Sequence, residues 1–342
     1  MYCCAECFGD RTLAREIIPL RSEGTGDCSY CGTENTAVVA PGLISEFFEP
    51  LVSAYKRDDR GKVLAECLRE DWEMFQHPRM DNVRSSDLLA TILNDPEIAT
   101  RTFSPAYETS GSPVDEWERL RDELMCHNRF FPDTSLDPEW LGRLLVFLAI
   151  KSNEVPGLWH RARIQSDEKP YAADQMGAPP SKLAASGRAN PAGIPYLYLG
   201  STLRTAICET RPQVGEVACV ADFTIAADLE LVDLRKPRRT VSPFQLDEGE
   251  QICKLRGDLP FLERLGEELT RPVVPRSAAI DYTPSQYLCE FIKKSEYQGV
   301  VYRSSVSDGI NLALFDPECA EIGPVSQHRV TSVSVDFEPY GA

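Results

Sequence analysis

Gly187-Arg188-Ala189-Asn190-Pro191-Ala192-Gly193-Ile194-Pro195-Tyr196-Leu197-Tyr198-Leu199-Gly200 is the stretch around which the chain is organised. A Gly/Pro/Asn turn feeds a short apolar run carrying Tyr196 and Tyr198. Gly200-Ser201 then opens a helix-like segment, 202–210, that carries Glu209. Strand alternation sets both tyrosines on one face and Leu197 and Leu199 on the other. A polar loop, an aromatic face and a carboxylate therefore fall close together, which is the material of a small-molecule site.

Upstream, the character changes after Val155-Pro156-Gly157 to alternating strands and helices. Residues 158–164 read as a strand, with Trp159, Arg161 and Arg163 on one face. A loop over 165–193, rich in Ala, Pro, Ser and Gly, separates this strand from the turn. Loops of that length in a compact domain are usually functional or disordered. Downstream, strands are predicted near 217–225 and 229–234, and a charged helix over 251–269. Thr283-Pro284-Ser285-Gln286 is a helix start: an N-cap, a proline in the first turn and a capping-box glutamine. Its buried face is Tyr287, Leu288, Phe291 and Ile292. The strand at 300–305 runs out into a turn at Ser304-Ser305, and strands at 311–315 and 330–337 are expected to close the sheet.

At the other end of the chain, Cys4-x2-Cys7 and Cys28-x2-Cys31 are separated by twenty residues, with Gly32 after the second pair. Two thiolates from each knuckle complete a tetrahedral Zn2+ shell, and the spacing is close to the zinc-ribbon pattern. Four Cys ligands leave no position for water, so the metal would be structural, and binding it would supply much of the folding energy of so small a segment. Cys3 could stand in for Cys4. From 43 to 151 the pattern reads as helical. Leu43, Ile44, Phe47, Phe48, Leu51 and Val52 form one stripe, with Pro50 able to bend or end it, and Val63, Leu64, Cys67, Leu68, Trp72 and Phe75 form another. Ser112-Pro113 with Asp115 starts a helix bearing Trp117, Leu120 and Leu124, and 140–150 is a further apolar helix. These stripes are core packing. Arg121-x5-His127 falls within the loose spacing of HEPN ribonucleases, which would set a base and a cation near an RNA phosphate.

The chain has 342 residues, enough for two domains with cores of their own, and its 42% apolar and 26% charged content suits a globular protein. It contains no apolar run long enough for a membrane span. Met1-Tyr2-Cys3-Cys4-Ala5-Glu6 lacks the features of a secretory signal, and most of the twelve cysteines are scattered, so a reducing cytoplasm is expected. A net charge of −17 argues against non-specific binding of nucleic acid, which rests on Lys and Arg. The absence of G-x-G-x-x-G, a Walker A loop and H-E-x-x-H removes the usual dehydrogenase, NTPase and metalloprotease readings.

Arg161 on a strand, Glu209 on a short helix and Ser304-Ser305 after a strand occur in order with Gly187-Arg188-Ala189-Asn190-Pro191, Tyr198, Tyr302-Arg303 and Asn311-Leu312. Together these resemble the RES domain, a family named for an Arg, a Glu and a Ser, over roughly 155–325. The family's turn is Gly-Gly-Arg-Trp-Asn-Pro; this chain has Ser186-Gly187-Arg188-Ala189-Asn190-Pro191, without the first glycine and the tryptophan. The Cys-rich start and helical middle look like the larger RES proteins with a HEPN/RES-type N-terminal domain.

The resemblance implies an α+β chain: a zinc-ribbon-like segment (1–40), a helical N-terminal domain (41–154) and a RES catalytic domain (155–342) resembling the ADP-ribosyltransferase fold. It implies an NAD+-consuming enzyme that cleaves the nicotinamide–ribose bond as a glycohydrolase or phosphorylase, of the toxin or defence-effector kind. A cognate antitoxin or inhibitor would then be a partner, and a homo-oligomer stays open. The transition state is oxocarbenium-like. Glu209 would stabilise its charge and orient the ribose, Arg161 would hold the pyrophosphate with Arg188 adding to it, and Tyr198 would wall the nicotinamide or its ribose. Asn190 is retained in the turn as a binding residue. Ser304 or Ser305 would hydrogen-bond the ribose or the nicotinamide amide. Protein ADP-ribosylation, and RNA binding or cleavage by a HEPN-type module, are the alternatives.

Overall fold

The structure is a computed structural model describing residues 1–107 and 112–334. It divides into two compact units: Met1–Val114 with Lys236–Glu263, and Asp115–Arg235 with the chain from Arg264 onward. The expected boundary after 154 falls inside the second unit.

In the first unit, β1 (Gly24–Gly26) pairs antiparallel with β2 (Thr36–Val38) beside the cysteines. The helices Ser45–Ser53 and Leu64–Trp72 follow the two apolar stripes, the first running through Pro50, and a further helix, Asn82–Ile92, is capped by Asp81. Phe8 packs on Phe48 and Phe75 with ring centroids 5.5 and 5.9 Å apart, and Phe48 packs on Phe244 at 4.9 Å. The region 43–151 is not wholly helical, however. β3 (Tyr55–Val63) and β4 (Thr102–Pro105) form an antiparallel pair whose register shifts between Arg57 and Lys62. The charged Lys56-Arg57-Asp58-Asp59-Arg60 run hides β3 from an apolar-periodicity reading, because this strand is largely exposed.

The second unit is built on an eight-stranded sheet, β12-β8-β6-β7-β11-β10-β9-β5. Its strands are β5 (Ala149–Lys151), β6 (Trp159–Ile164), β7 (Leu197–Gly200), β8 (Val217–Ile225), β9 (Glu230–Asp233), β10 (Gly299–Arg303), β11 (Ile310–Leu314) and β12 (Ala320–Arg329). Only β9 with β10 is parallel. One face is apolar: Trp159, Leu197, Leu199, Phe223, Leu231, Val301, Leu312 and Leu314 form its core. Removing a ring as buried as Trp159 typically costs about 3–5 kcal/mol.

The sheet edge corrects one expectation. Residues 331–334 form no strand, and the rest of the expected strand 330–337 lies outside the described residues. The edge is β12 instead, with a register shift between Ile322 and Val325. Gly323-Pro324 sits at that shift, where a proline is tolerated on an edge strand. No helix among the described residues is long and apolar enough to cross a membrane.

Candidate active site

Register decides which residues meet. Tyr302 pairs with Asn311, Asn311 with Gly200, and Gly200 with His160. Cross-strand partners share a face, so these residues stand opposite the apolar core. The helix Leu203–Glu209, N-capped by Thr202, brings Glu209 to this face. It settles close to the sheet because Gly200 has no side chain: a Cβ there would stand 2.8 Å from the Ala206 nitrogen.

Glu209 is held by two donors. Its Oε1 accepts from Ser304 Oγ at 2.8 Å and from Asn311 Nδ2 at 2.6 Å. The Oε2 atom has no hydrogen-bond partner among the described residues. Ser304 is buried, whereas Ser305 is half-buried and lines the cavity described below. The two serines thus differ in position: Ser304 orients the carboxylate and Ser305 faces the open space.

β6 and β7 pair only at His160 and Gly200. The Arg161 guanidinium donates through Nη1 to the Tyr198 carbonyl oxygen at 3.3 Å. Its Nε is buried without a hydrogen-bond partner. Among the described residues no carboxylate pairs with Arg161. Burial pushes its pKa down to about 10, with the neighbouring Arg163 adding to the effect. A buried cation lacking an anion is costly, and a bound anion would offset that cost.

The turn at 187–191 is cross-linked by hydrogen bonds to β7. The Tyr198 hydroxyl accepts from the amides of Ala189 (2.9 Å) and Asn190 (3.1 Å) and donates to Asn190 Oδ1 (2.7 Å). Asn190 Nδ2 donates to the carbonyl oxygens of Ala185, Pro191 and Ile194 at 2.8–3.0 Å. Its side chain therefore builds the loop from within. A Cβ on Gly187 would come 2.4 Å from Asn190 Oδ1 and 2.6 Å from the Tyr198 hydroxyl, so only glycine fits there. The helix Thr283–Lys294 fastens the loop from outside, through Ser285 Oγ to the Arg188 carbonyl (2.6 Å) and Gln286 Nε2 to the Gly187 carbonyl (2.7 Å). Arg188 stacks its guanidinium 5.3 Å from the centroid of the Tyr282 ring.

Arg161, Arg188, Tyr198, Glu209 and Ser305 line one cavity of about 370 Å3, together with His160, Arg211, Tyr282, Tyr302 and Asn311. Asn190 and Ser304 are not among its lining residues. Tyr196 does not share the aromatic wall with Tyr198. It precedes β7, donates its hydroxyl to Glu290 and packs on Phe315, with centroids 4.9 Å apart. The sequence reading missed Asn311 as a partner of Glu209, and it missed Tyr282 and Arg211 altogether. Asn311 was visible as a motif residue, but its partnership with Glu209 comes from register.

In the first unit, Cys4, Cys7, Cys28 and Cys31 are all buried, and their Sγ atoms lie within 4.8 Å of one another. Four thiols at this separation could hold a metal ion. The Cys31 amide points at Cys28 Sγ over 3.5 Å, and Gly32 takes the left-handed φ of 73° that turns the second knuckle. Hydrogen bonds within the cluster push the Cys28 thiol down and the Cys4 and Cys7 thiols up, as expected of sulfurs packed this closely. Cys3 stands apart, its Sγ 3.6 Å from the Val39 carbonyl oxygen. The Arg121/His127 pair is not arranged as a site: Arg121 is buried in ion pairs with Glu118 and Glu268, both at 2.7 Å, while His127 is exposed.

Residues 158–334 match the family model of the RES domain. The chain belongs to the RES domain family. Every residue lining the 370 Å3 cavity lies within that match. Among solved structures, this RES protein is similar to the crystal structure of the M. tuberculosis MbcT–MbcA toxin–antitoxin complex. The likeness is at 13% identity and a TM-score of 0.32, covering 56% of this chain and 93% of that one. A search of curated proteins gave no match.

Proposed function

We propose that this RES protein consumes NAD+ by breaking the nicotinamide–ribose bond. The observation that carries the reading is the convergence of an unpaired buried guanidinium, Arg161, and a doubly anchored carboxylate, Glu209, on one cavity. A dinucleotide presents a pyrophosphate to the first and a ribose to the second. Arg161 and the loop residue Arg188 hold the phosphates, since a planar guanidinium matches phosphate oxygens. Tyr198 and Tyr282 offer aromatic faces to the nicotinamide end. As the C–N bond breaks, its electron pair leaves with the nicotinamide nitrogen and positive charge spreads over the ribose C1 and ring oxygen. Glu209, fixed beforehand by Ser304 and Asn311, stabilises that charge without reorganising. The oxygen of water or of phosphate then bonds to C1.

An enzyme of this kind would destroy the cofactor of its own cell, so a toxin or defence effector restrained by a cognate antitoxin or inhibitor is part of the same proposal. Zinc is proposed for the four-cysteine cluster because a tetrahedral shell with Zn–S bonds of about 2.3 Å needs sulfurs roughly 3.8 Å apart, a spacing the cluster can supply. The test is nicotinamide release from NAD+ followed by mass spectrometry. Wild-type protein should release it and Glu209→Gln should be nearly inert; absence of release by the wild type refutes the proposal. In phosphate buffer, ADP-ribose 1″-phosphate marks phosphorolysis, and ADP-ribose marks hydrolysis.

A further inference from the structure

The row of paired residues that frames the cavity extends one strand beyond the groups used so far. From Tyr302, Asn311 and Gly200 it reaches His160, and His160 pairs in register with Asp222 on β8. His160 lines the cavity with Glu209. Its Nδ1 lies 2.9 Å from Asp222 Oδ1, and its side chain is 15% exposed against 34% for Asp222. The other ring nitrogen, Nε2, has no hydrogen-bond partner among the described residues. A carboxylate on Nδ1 keeps the proton on that nitrogen and leaves Nε2 with a lone pair.

We propose that His160, oriented by Asp222, takes the proton from the oxygen nucleophile that attacks the ribose C1 in this cavity. The inference rests on the NAD+ reading above and adds the base that reading lacks. The oxygen lone pair of water or phosphate forms the bond to C1. The C1–N bond breaks with its electrons going to nicotinamide, and the nucleophile's proton passes to Nε2 and from there to solvent. The division of labour follows from position. Glu209 is anchored through Oε1 and keeps Oε2 for the charge developing on the ribose, whereas His160 is anchored through Nδ1 and keeps Nε2 for the proton. Asp222 from β8 touches the imidazole, and the charged groups lining the cavity with it are Glu209 and Arg211 from the helix and the turn after it, Arg188 from the loop and Arg161 from its own strand. β7 and β11 bring only Gly200 and Asn311 to the row, and neither titrates. Asp222 is a positioning residue: it reaches the chemistry only through the ring.

A cross-strand His–Asp pair with no catalytic part would be a minor stabilising contact. The experiment that separates the two is the pH profile of nicotinamide release for wild type, His160→Gln and Asp222→Asn. If His160 is the base, His160→Gln lowers kcat roughly 10²–10⁴-fold, leaves KM within about threefold, and abolishes the fall in rate toward acid pH. Asp222→Asn, which keeps the shape but no longer holds the proton on Nδ1, lowers kcat in the same direction and serves as the second variant should His160→Gln fold poorly. An unchanged kcat and pH profile in either well-folded variant overturns the proposal while leaving the NAD+ reading intact. A wild-type protein that releases no nicotinamide removes both.

Discussion

Tyr198→Phe tests whether the Tyr198 hydroxyl acts on the loop or on the substrate. The substitution keeps the ring that lines the cavity and deletes only the hydroxyl. Three hydrogen bonds go with it, from the amides of Ala189 and Asn190 and to Asn190 Oδ1, and both of these loop residues are buried. Each lost bond costs about 1 kcal/mol net, and a buried group left without a partner costs up to about 3. Three bonds therefore set a loss of about 3 kcal/mol, with relaxation of the loop lowering it and trapped amides raising it. The bonds of Asn190 Nδ2 and of Gln286 survive the change, so the loop loosens without coming free. In a unit of this size 3 kcal/mol corresponds to a melting midpoint lower by roughly 6–12 °C. Because Arg188 rides on this loop, KM for NAD+ should rise about tenfold, an effect of about 1.4 kcal/mol, while kcat changes less. Urea unfolding and steady-state kinetics on the same preparation read both. A variant as stable as wild type that has lost kcat would show that the hydroxyl works on the substrate, and the structural account of Tyr198 would be wrong.

Other outcomes follow from the same contacts. Glu209→Gln should lower kcat by about 10²–10³-fold, the scale of removing one preorganised charge-stabilising group; Ser304→Ala, which removes one of its two anchors, should cost less, and single-turnover rates would order the pair. Arg161→Ala should raise KM for NAD+ and spare its binding of nicotinamide alone, measured by calorimetry. Burial pushes Asp10 up to about 6, although the Leu13 amide and Ser242 hydroxyl bond to it. The folded state therefore holds a proton that the unfolded chain releases near pH 4. The stabilisation this provides is complete below about pH 4 and is lost as pH rises through about 6, with a ceiling of about 3 kcal/mol. Asp10→Asn should flatten that window in pH-dependent urea unfolding. Chelation should lower the melting temperature of the first unit and release about one metal per chain, as a four-thiolate structural site requires.

What the sequence could and could not disclose follows from the range of each signal. The order of strand, turn, strand and short helix from Trp159 to Glu209 was legible because each step is local: apolar alternation, turn residues, a threonine cap. The cysteine pairs were legible for the same reason, since a knuckle is a four-residue device. The strands that escaped are those whose stability comes from elsewhere. β3 is charged and mostly exposed, held by its pairing with β4, and β12 contains Gly323-Pro324 and leans on β8. Neither carries a periodic signal of its own.

The site divides along the same line. Arg161 and Glu209 stood out as chemistry-bearing residues in a recognisable order, yet what holds Glu209 in place is Asn311, which is 102 residues away in sequence. His160 shows the limit most clearly. In sequence it stands beside Arg161, and strand alternation sends neighbours to opposite faces, so any reading that follows the arginine discards the histidine. Only the pairing of β6 with both β7 and β8 puts His160 in one row with Gly200 and Asp222, and so on the face where the helix carries Glu209. Arg161 lines the same cavity from the other parity of the strand, its guanidinium bonded to the Tyr198 carbonyl oxygen of β7. Two adjacent residues of one strand thus line one cavity, beside a β6–β7 ladder that pairs at the single position His160–Gly200. Closing this gap would test the arrangement directly. Extending the β6–β7 ladder with a β-branched residue at position 162, Tyr198 and its loop bonds being left intact, should withdraw the guanidinium and raise KM for NAD+ while leaving the His160–Asp222 pair, which belongs to the β6–β8 ladder, in place.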